Sequence, residues 1–329
     1  MKKLRVGVLC GGKSTEHEVS LWSAKNVMES LDRDRFEPVL IAIDRDGQWF
    51  LPEASKATLP TGLTDVTRRT GGDAEVMLRP ESHGQMVATS GEEQRLDVVF
   101  PVLHGGFGED GTIQGLLRLS GVPFVGAGVL GSAIGMDKDV MKRLLREAGI
   151  PVARFLAIRQ GTAPSYESVV TSLGSPFFLK PANAGSSVGV HKVRSESEYD
   201  EALVDAFLYD TKVLLEEYIV GREIEVSVLG NDQPMASVPG EIIPTKEFYT
   251  YEAKYLDEAG ARLEIPAELP EDMVKRFQSL ACQVFQVLEC AGLARVDFFL
   301  RENGEILVNE INTLPGFTAR SMYPKLWEA

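Results

Sequence analysis

The stretch VDFFLRENGEILVNEIN, residues 296–312, constrains this chain more than any other. Two alternating apolar and polar runs flank Asn303-Gly304, the strongest short-range hairpin signal. A two-residue turn there places Asp297 opposite Glu310, and Arg295 opposite Asn312. Val296, Phe298, Leu300, Leu307 and Ile311 then line the other, core-facing side. Phe299 and Val308 form an apolar patch beside the carboxylates, nearer the turn, where a purine ring fits. Directly opposed carboxylates repel on a sheet. With the amide of Asn312 they make a hard-oxygen donor set suited to Mg²⁺, completed by water and phosphate.

Other stretches supply what such a metal would serve. LKPANAGSSVGV puts Lys180 at a strand end before Gly185, Ser186, Ser187 and Gly189, a loop fit for close approach of phosphate. LLEEYIVGREIEV supplies Glu216, Glu217 and Glu223, which by themselves read as a solvent-facing strand end. HGGFGEDG, from His104, is a tight turn whose glycines let backbone approach something small. YTYEAKY places Lys254 and Tyr255 in a polar loop, and residues 245–261 are expected to move without ligand. GVLCGGKS, residues 7–14, matches the phosphate-cradling P-loop pattern. The match reads as accidental. Gly7 lies inside an apolar strand, and Glu16 and Glu18 occupy the helix start that a phosphate would need.

The order of elements separates the chain into unlike parts. Strands at 4–10, 38–43, 96–103 and 123–125 alternate with helices opened by a Thr15/Glu18 capping box and at 112–119, a doubly wound parallel α/β pattern. Residues 53–93 are weakly patterned and expected to form an excursion or a mobile loop. After a helix near 138–148, strands are expected at 177–180, 188–193 and 212–219, then at 223–229 and 235–243. A helix at 271–291 precedes the hairpin, making this half α+β. The division expected is 1–137, 138–220 and 221–329. A net charge of −14 argues against a nucleic-acid partner. No apolar run approaches membrane-spanning length. Cys10, Cys282 and Cys290 form no metal or disulfide pattern, which suits a reducing cytoplasm.

Taken together, GGKSTEHEVS, VLHGGFGEDGTIQG, GMDKDVMK, LKPANAGSSVGV, YTYEAKY, ARVDFFL and NEINTLPGFT resemble the D-alanine–D-alanine ligase family of the ATP-grasp superfamily, from Lys3 onward. The resemblance implies a two-part ATP-grasp fold behind the N-terminal domain. It implies that ATP phosphorylates one D-alanine and a second attacks the acyl phosphate, a cytoplasmic step of peptidoglycan synthesis. It further implies two Mg²⁺ (or Mn²⁺) ions on Asp297, Glu310 and Asn312. Lys138, Lys180 and Lys254 would meet the ATP phosphates, and Glu216, Glu217, Ile219, Glu223 and Phe299 its base and ribose. Glu16 would hold the first ammonium in a trio with Ser186 and Tyr255, with His104 beside that substrate. Arg295 and the Gly316 N–H would stabilise the oxyanion, and Ser321 and Met322 would hold the second carboxylate. Tyr255 points to a second D-alanine over D-lactate or D-serine, and the resemblance implies a homodimer. Met322 stands where the family commonly has Leu. The family usually continues past LWEA into a further helix; without such a helix, apolar surface beside the C-terminal domain would be uncovered.

Overall fold

The computed structural model describes residues 2–52, 67, 72–89, 91, 93–244 and 260–329. Lys254 and Tyr255, with most of the segment expected to move, lie outside them.

The first sheet is built from β1 (Leu4–Gly11), β2 (Phe36–Ile43), β3 (Trp49–Leu51), β4 (Ala74–Leu78), β5 (Gln85–Ala88), β6 (Glu93–Arg95) and β7 (Val98–Pro101). Their order is β6-β5-β4-β3-β2-β1-β7. Only β2, β1 and β7 run parallel. The weakly patterned stretch yields β4, β5 and β6, which extend that core antiparallel. These strands are short and partly exposed, so their sequence carries little periodic signal. The expected strand at 123–125 is a single bridge, Val99 to Phe124. Helix α1 (His17–Ser30) packs Leu21, Ala24, Val27 and Met28 against Val6, Val8 and Leu40. The expected capping box is absent. Glu18 is drawn to Arg45 at 2.8 Å, and the Ser14 hydroxyl accepts the Glu16 N–H instead. Helix α2 (Thr112–Leu119) covers the other face through Ile113 and Leu117.

Helices α3 (Val129–Met136) and α4 (Lys138–Glu147) lead out of this domain. The Asp137 side chain caps α4 by accepting the Val140 N–H at 3.1 Å. The second sheet holds β8 (Phe155–Arg159), β9 (Phe177–Pro181), β10 (His191–Val193) and β11 (Lys212–Glu217), all pairs antiparallel, in the order β10-β9-β11-β8. Helices α5 (Tyr166–Leu173) and α6 (Glu196–Ala206) cover it. The expected strand at 188–193 starts only at His191, because Ser186, Ser187 and Gly189 take positive φ.

The third sheet comprises β12 (Arg222–Gly230), β13 (Met235–Ala236), β14 (Gly240–Pro244), β15 (Ala261–Glu264), β16 (Gly292–Leu300) and β17 (Ile306–Asn312). Its order is β15-β14-β12-β16-β17, with β13 on β12. The strand expected at 235–243 breaks in two around Pro239, whose ring cannot donate to a ladder. Helix α7 (Glu271–Val287) buries Phe277, Ala281, Val284 and Phe285 against Val226, Val296 and Phe298. Met141 and Leu145 of α4 join that core. Helix α8 (Met322–Glu328) closes the far edge, with Met322 and Leu326 on Ile242. No described helix is long and apolar enough to cross a membrane.

Candidate active site

The β16–β17 hairpin carries the carboxylates, and its register is instructive. Asp297 does face Glu310, and Arg295 faces Asn312. The turn, however, is not the two-residue one expected. Leu300 pairs with Ile306, so five residues, 301–305, make the loop, closed by Gly304 N–H donating to the Arg301 carbonyl at 2.9 Å. That slips the register by one residue. A bulge between Asp297 and Phe298 restores it at the site. The correction falls between. Val308 is fully buried in the core with Phe298, while Leu307 stands with Phe299, Ala153 and Ile219 in a small separate cluster. Leu307 and Val308 have exchanged the faces expected of them. The apolar platform is therefore Phe299, Leu307 and Ile219. Glu223 faces Phe299 across β12.

Around Asp297 the charges are matched. Arg295 donates through Nε and Nη2 to its two oxygens, both at 2.7 Å, and Asn312 donates to it at 3.0 Å. Glu225, not foreseen from the sequence, faces Asp297 from β12 and meets Arg295 Nε at 2.8 Å. Glu225, Asp297 and Glu310 thus form a row of carboxylates across three strands. Only the pairing of β12 with β16 creates that row, and sequence spacing cannot reveal it. Lys138 Nζ lies 3.5 Å from Glu310 and donates to the Ala184 carbonyl at 2.8 Å. Among the described residues no cage of three or more His, Cys, Asp or Glu side chains is pre-formed. The donor set, two carboxylates and an amide oxygen, nevertheless fits a hard divalent cation, which would exchange for the Arg295 and Lys138 charges.

Glu216 is not at a solvent-facing strand end. It is 2% exposed, with Lys180 at 2.8 Å on one oxygen and Lys142 at 2.9 Å on the other. Burial opposes its charge, but the two lysines outweigh that and hold its pKa below the usual carboxylate value. Burial pushes the Lys142 pKa down, against the pull of Glu216. Lys142 was not anticipated, although it follows Lys138 by one helical turn, a spacing that puts both on one side of α4. The Glu217 side chain is spent on the Arg154 N–H at 2.8 Å and on Arg154 Nε at 2.9 Å, leaving only backbone to offer a ligand.

The loop after β9 meets the start of α1 at Glu16. The Ser186 hydroxyl donates to it, and a Cβ on Gly185 would lie 2.8 Å from its carboxylate. His104 is buried with both ring nitrogens engaged. Nδ1 donates to the Leu314 carbonyl at 2.9 Å, and Nε2 accepts from Ser23, whose oxygen accepts the Phe317 N–H. Burial lowers its pKa, so it is neutral. Gly316 packs against Ser321, where a Cβ would stand 2.7 Å from Oγ. The Met322 side chain is buried among Ile242 and Leu326, so its backbone is what it can present. A cavity of about 310 Å³ is lined by Glu16, His104, Lys138, Ser186, Arg295, Glu310, Asn312, Gly316, Ser321 and Met322. Lys180, Glu216 and Phe299 extend from it along the second and third sheets.

The family model described as D-ala D-ala ligase N-terminus matches residues 5–127, and that described as D-ala D-ala ligase C-terminus matches 144–329. A D-alanine–D-alanine ligase of Shouchella clausii is 53% identical over all of this chain and 91% of its own length. The structure of the D-alanine–D-alanine ligase from Coxiella burnetii matches at TM-score 0.88 and 39% identity, covering 100% of this chain and 89% of that one. The VanG D-Ala:D-Ser ligase of Enterococcus faecalis matches at TM-score 0.86 and 35% identity, covering 99% and 95%.

Proposed function

The chain belongs to the D-alanine–D-alanine ligase family, and from that premise we propose that ATP and two D-alanine molecules meet in the cavity between Glu16 and the β16–β17 hairpin. The protein is an ATP-using ligase that joins two D-alanine molecules in peptidoglycan synthesis. The observation that carries the site is convergence. Glu16 from the first domain, Ser186 from the second, and Arg295, Glu310 and Asn312 from the third line one cavity.

In this reading the adenine lies on Phe299, Leu307 and Ile219, with Glu216, Glu223 and backbone at Glu217 near its edge and ribose. Lys138 and Lys180 meet the phosphates, and Lys254 joins them. Asp297, Glu310 and Asn312 would hold two Mg²⁺ or Mn²⁺ ions. Such ions, when bound, neutralise and orient the transferring phosphoryl group. Glu16 holds the first ammonium, with Ser186 and Tyr255 closing the trio beside it. The first carboxylate takes the phosphoryl group, the second amine attacks the acyl phosphate, and phosphate leaves. Arg295 and the Gly316 N–H face the oxyanion that forms between. Glu225, at 2.8 Å from Nε, keeps a hold on Arg295 when the metal takes Asp297. Ser321 and the Met322 backbone receive the second carboxylate.

We read the chain as divided at 1–137, 138–220 and 221–329; what supports this reading is its three separate sheets, with α4 lending its apolar side to the third core. A homodimer and a cytoplasmic location rest on the family resemblance. The test is ADP release with magnesium. D-alanine alone should support turnover, and adding D-lactate or D-serine should not divert the product. ADP formation that is indifferent to D-alanine would sink the reading.

A further inference from the structure

One carboxylate at the cavity wall has no place in the chemistry above. Glu109 belongs to the HGGFGEDG turn and reaches in two directions. One oxygen accepts the Gly105 N–H at 2.6 Å, and the other accepts the Leu314 N–H at 3.2 Å, across 205 residues. The Leu314 carbonyl meanwhile accepts from His104 Nδ1. Both polar groups of Leu314 are therefore gripped by one turn of the first domain. Gly316, whose N–H faces the oxyanion in the reading above, is only two residues further on. At the other end of the clamp, Gly105 touches the first-substrate anchor, since a Cβ there would stand 2.6 Å from Glu16 Oε2.

We propose that Glu109 is a positioning residue that ties the first-substrate subsite to the 314–317 loop, so that binding of the first D-alanine's ammonium tightens the loop that carries Gly316. The proposal rests on the functional reading above. The charged and titratable groups facing Glu109 are Glu16 from the start of α1, His104 from its own turn and Arg295 from β16. Burial, and then repulsion from Glu16, push its pKa up to about 8. With His104 neutral and Arg295 already bonded to Asp297 and Glu225, burial and Glu16 outweigh the two N–H groups and Arg295 in the free enzyme and favour the protonated form of Glu109. An ammonium held by Glu16 cancels the repulsion and favours the carboxylate. The O–H bond then breaks, the proton leaves to buffer, and the ammonium keeps its own. The charged carboxylate grips the two N–H groups more strongly than the acid does, so substrate binding tightens the loop that carries Gly316.

The sign follows. A carboxyl whose pKa is raised in the free enzyme and lowered on binding makes D-alanine affinity rise with pH up to about 8. The experiment is calorimetric titration of D-alanine into the enzyme with ADP and magnesium, at pH 7, in buffers of different ionisation enthalpy. Wild type should release protons, at most about one per first D-alanine bound, and Glu109→Gln none. Kinetically, Glu109→Gln should lower kcat on the order of 10- to 100-fold through misplacement of the loop, with KM for ATP within about twofold of wild type. Glu109→Asp, too short to span both N–H groups, should lose kcat similarly. Buffer-independent heats in wild type, or undiminished proton release in Glu109→Gln, overturn the proton coupling. Wild-type kcat in Glu109→Asp overturns the clamp. If wild type releases no ADP with D-alanine, the functional reading has failed instead, and the binding heats separate the two cases.

Discussion

Two glycine-rich turns face each other across Glu16, and they behave oppositely. GVLCGGKS has the letters of a phosphate loop, yet its donors are spent within the fold. The Gly11 N–H donates to Ser20 and the Gly12 N–H to the Ile43 carbonyl, both at 2.8 Å, while the Gly12 carbonyl bonds His17. Its glycines answer to neighbours. A Cβ on Gly7 would stand 2.6 Å from Leu96 Cδ1, and one on Gly11 2.2 Å from the Ile43 carbonyl. The hollow beside it, about 200 Å³, is walled by Ile43, Trp49, Leu103, Ile113 and Leu116. The 182–190 loop has a less famous sequence but lies among Lys138, Lys180 and Glu16. A glycine pattern records only that backbone comes close to something. Where the charges converge says what that something is.

The largest effect that separates the two regions is at Glu310. Glu310→Ala removes a carboxylate from the metal set proposed beside the second region and leaves Lys138 without its partner at 3.5 Å. Turnover should fall by about 10²- to 10³-fold, the range seen when one electrostatic stabiliser of a transition state is lost. The site is on a half-exposed strand face, so the thermal midpoint should barely move. Near-normal D-alanine-dependent ADP release by this variant would remove the metal from the hairpin.

Lys142 comes next, and it tests whether the second region's charge balance is built into the fold. Its side chain is fully buried against Glu216. Lys142→Met keeps the length and deletes the charge. Breaking a buried pair from one side costs about 3–5 kcal/mol, and the retained Lys180 partner puts the expected loss near 3. KM for ATP should rise as well, because Glu216 is left to Lys180 alone. Unchanged stability and KM would make Lys142 a spectator.

How much of this was legible beforehand varies by residue, for physical reasons. The hairpin spacing brought Arg295, Glu310 and Asn312 together, whereas Glu16 and Ser186 joined them only through the family resemblance that their motifs carry. The facing of Asp297 and Glu310 came out right although the turn was misread, since the slip in the 301–305 loop and the bulge beyond it cancel. Leu307 and Val308, lying between the two irregularities, were placed on the wrong faces for the same reason. Strands β4 to β6 were missed because they are short, partly exposed and antiparallel at a sheet edge. Glu225 and Glu109 act through partners on other elements, which no local spacing encodes. Lys142 alone left a local signal, one helical turn after Lys138.

The smallest expected effect is the sharpest test of the comparison. Lys13 is the residue that makes GVLCGGKS look like a nucleotide site. In a true phosphate loop this lysine reaches the β- and γ-phosphates, and its loss would cripple ATP binding. Here its aliphatic stem runs beside Gly47, a Cβ on which would lie 3.2 Å from Lys13 Cδ. It borders the apolar hollow rather than the cavity of Lys138 and Arg295. Lys13→Ala should therefore leave KM for ATP and kcat within about twofold, and surface substitutions away from special features shift stability by no more than about 0.5 kcal/mol. A tenfold rise in KM for ATP would mean that the first turn meets the nucleotide after all. The two regions would then share one ligand, and the closed hydrogen bonds at Gly11 and Gly12 would have to open to receive it.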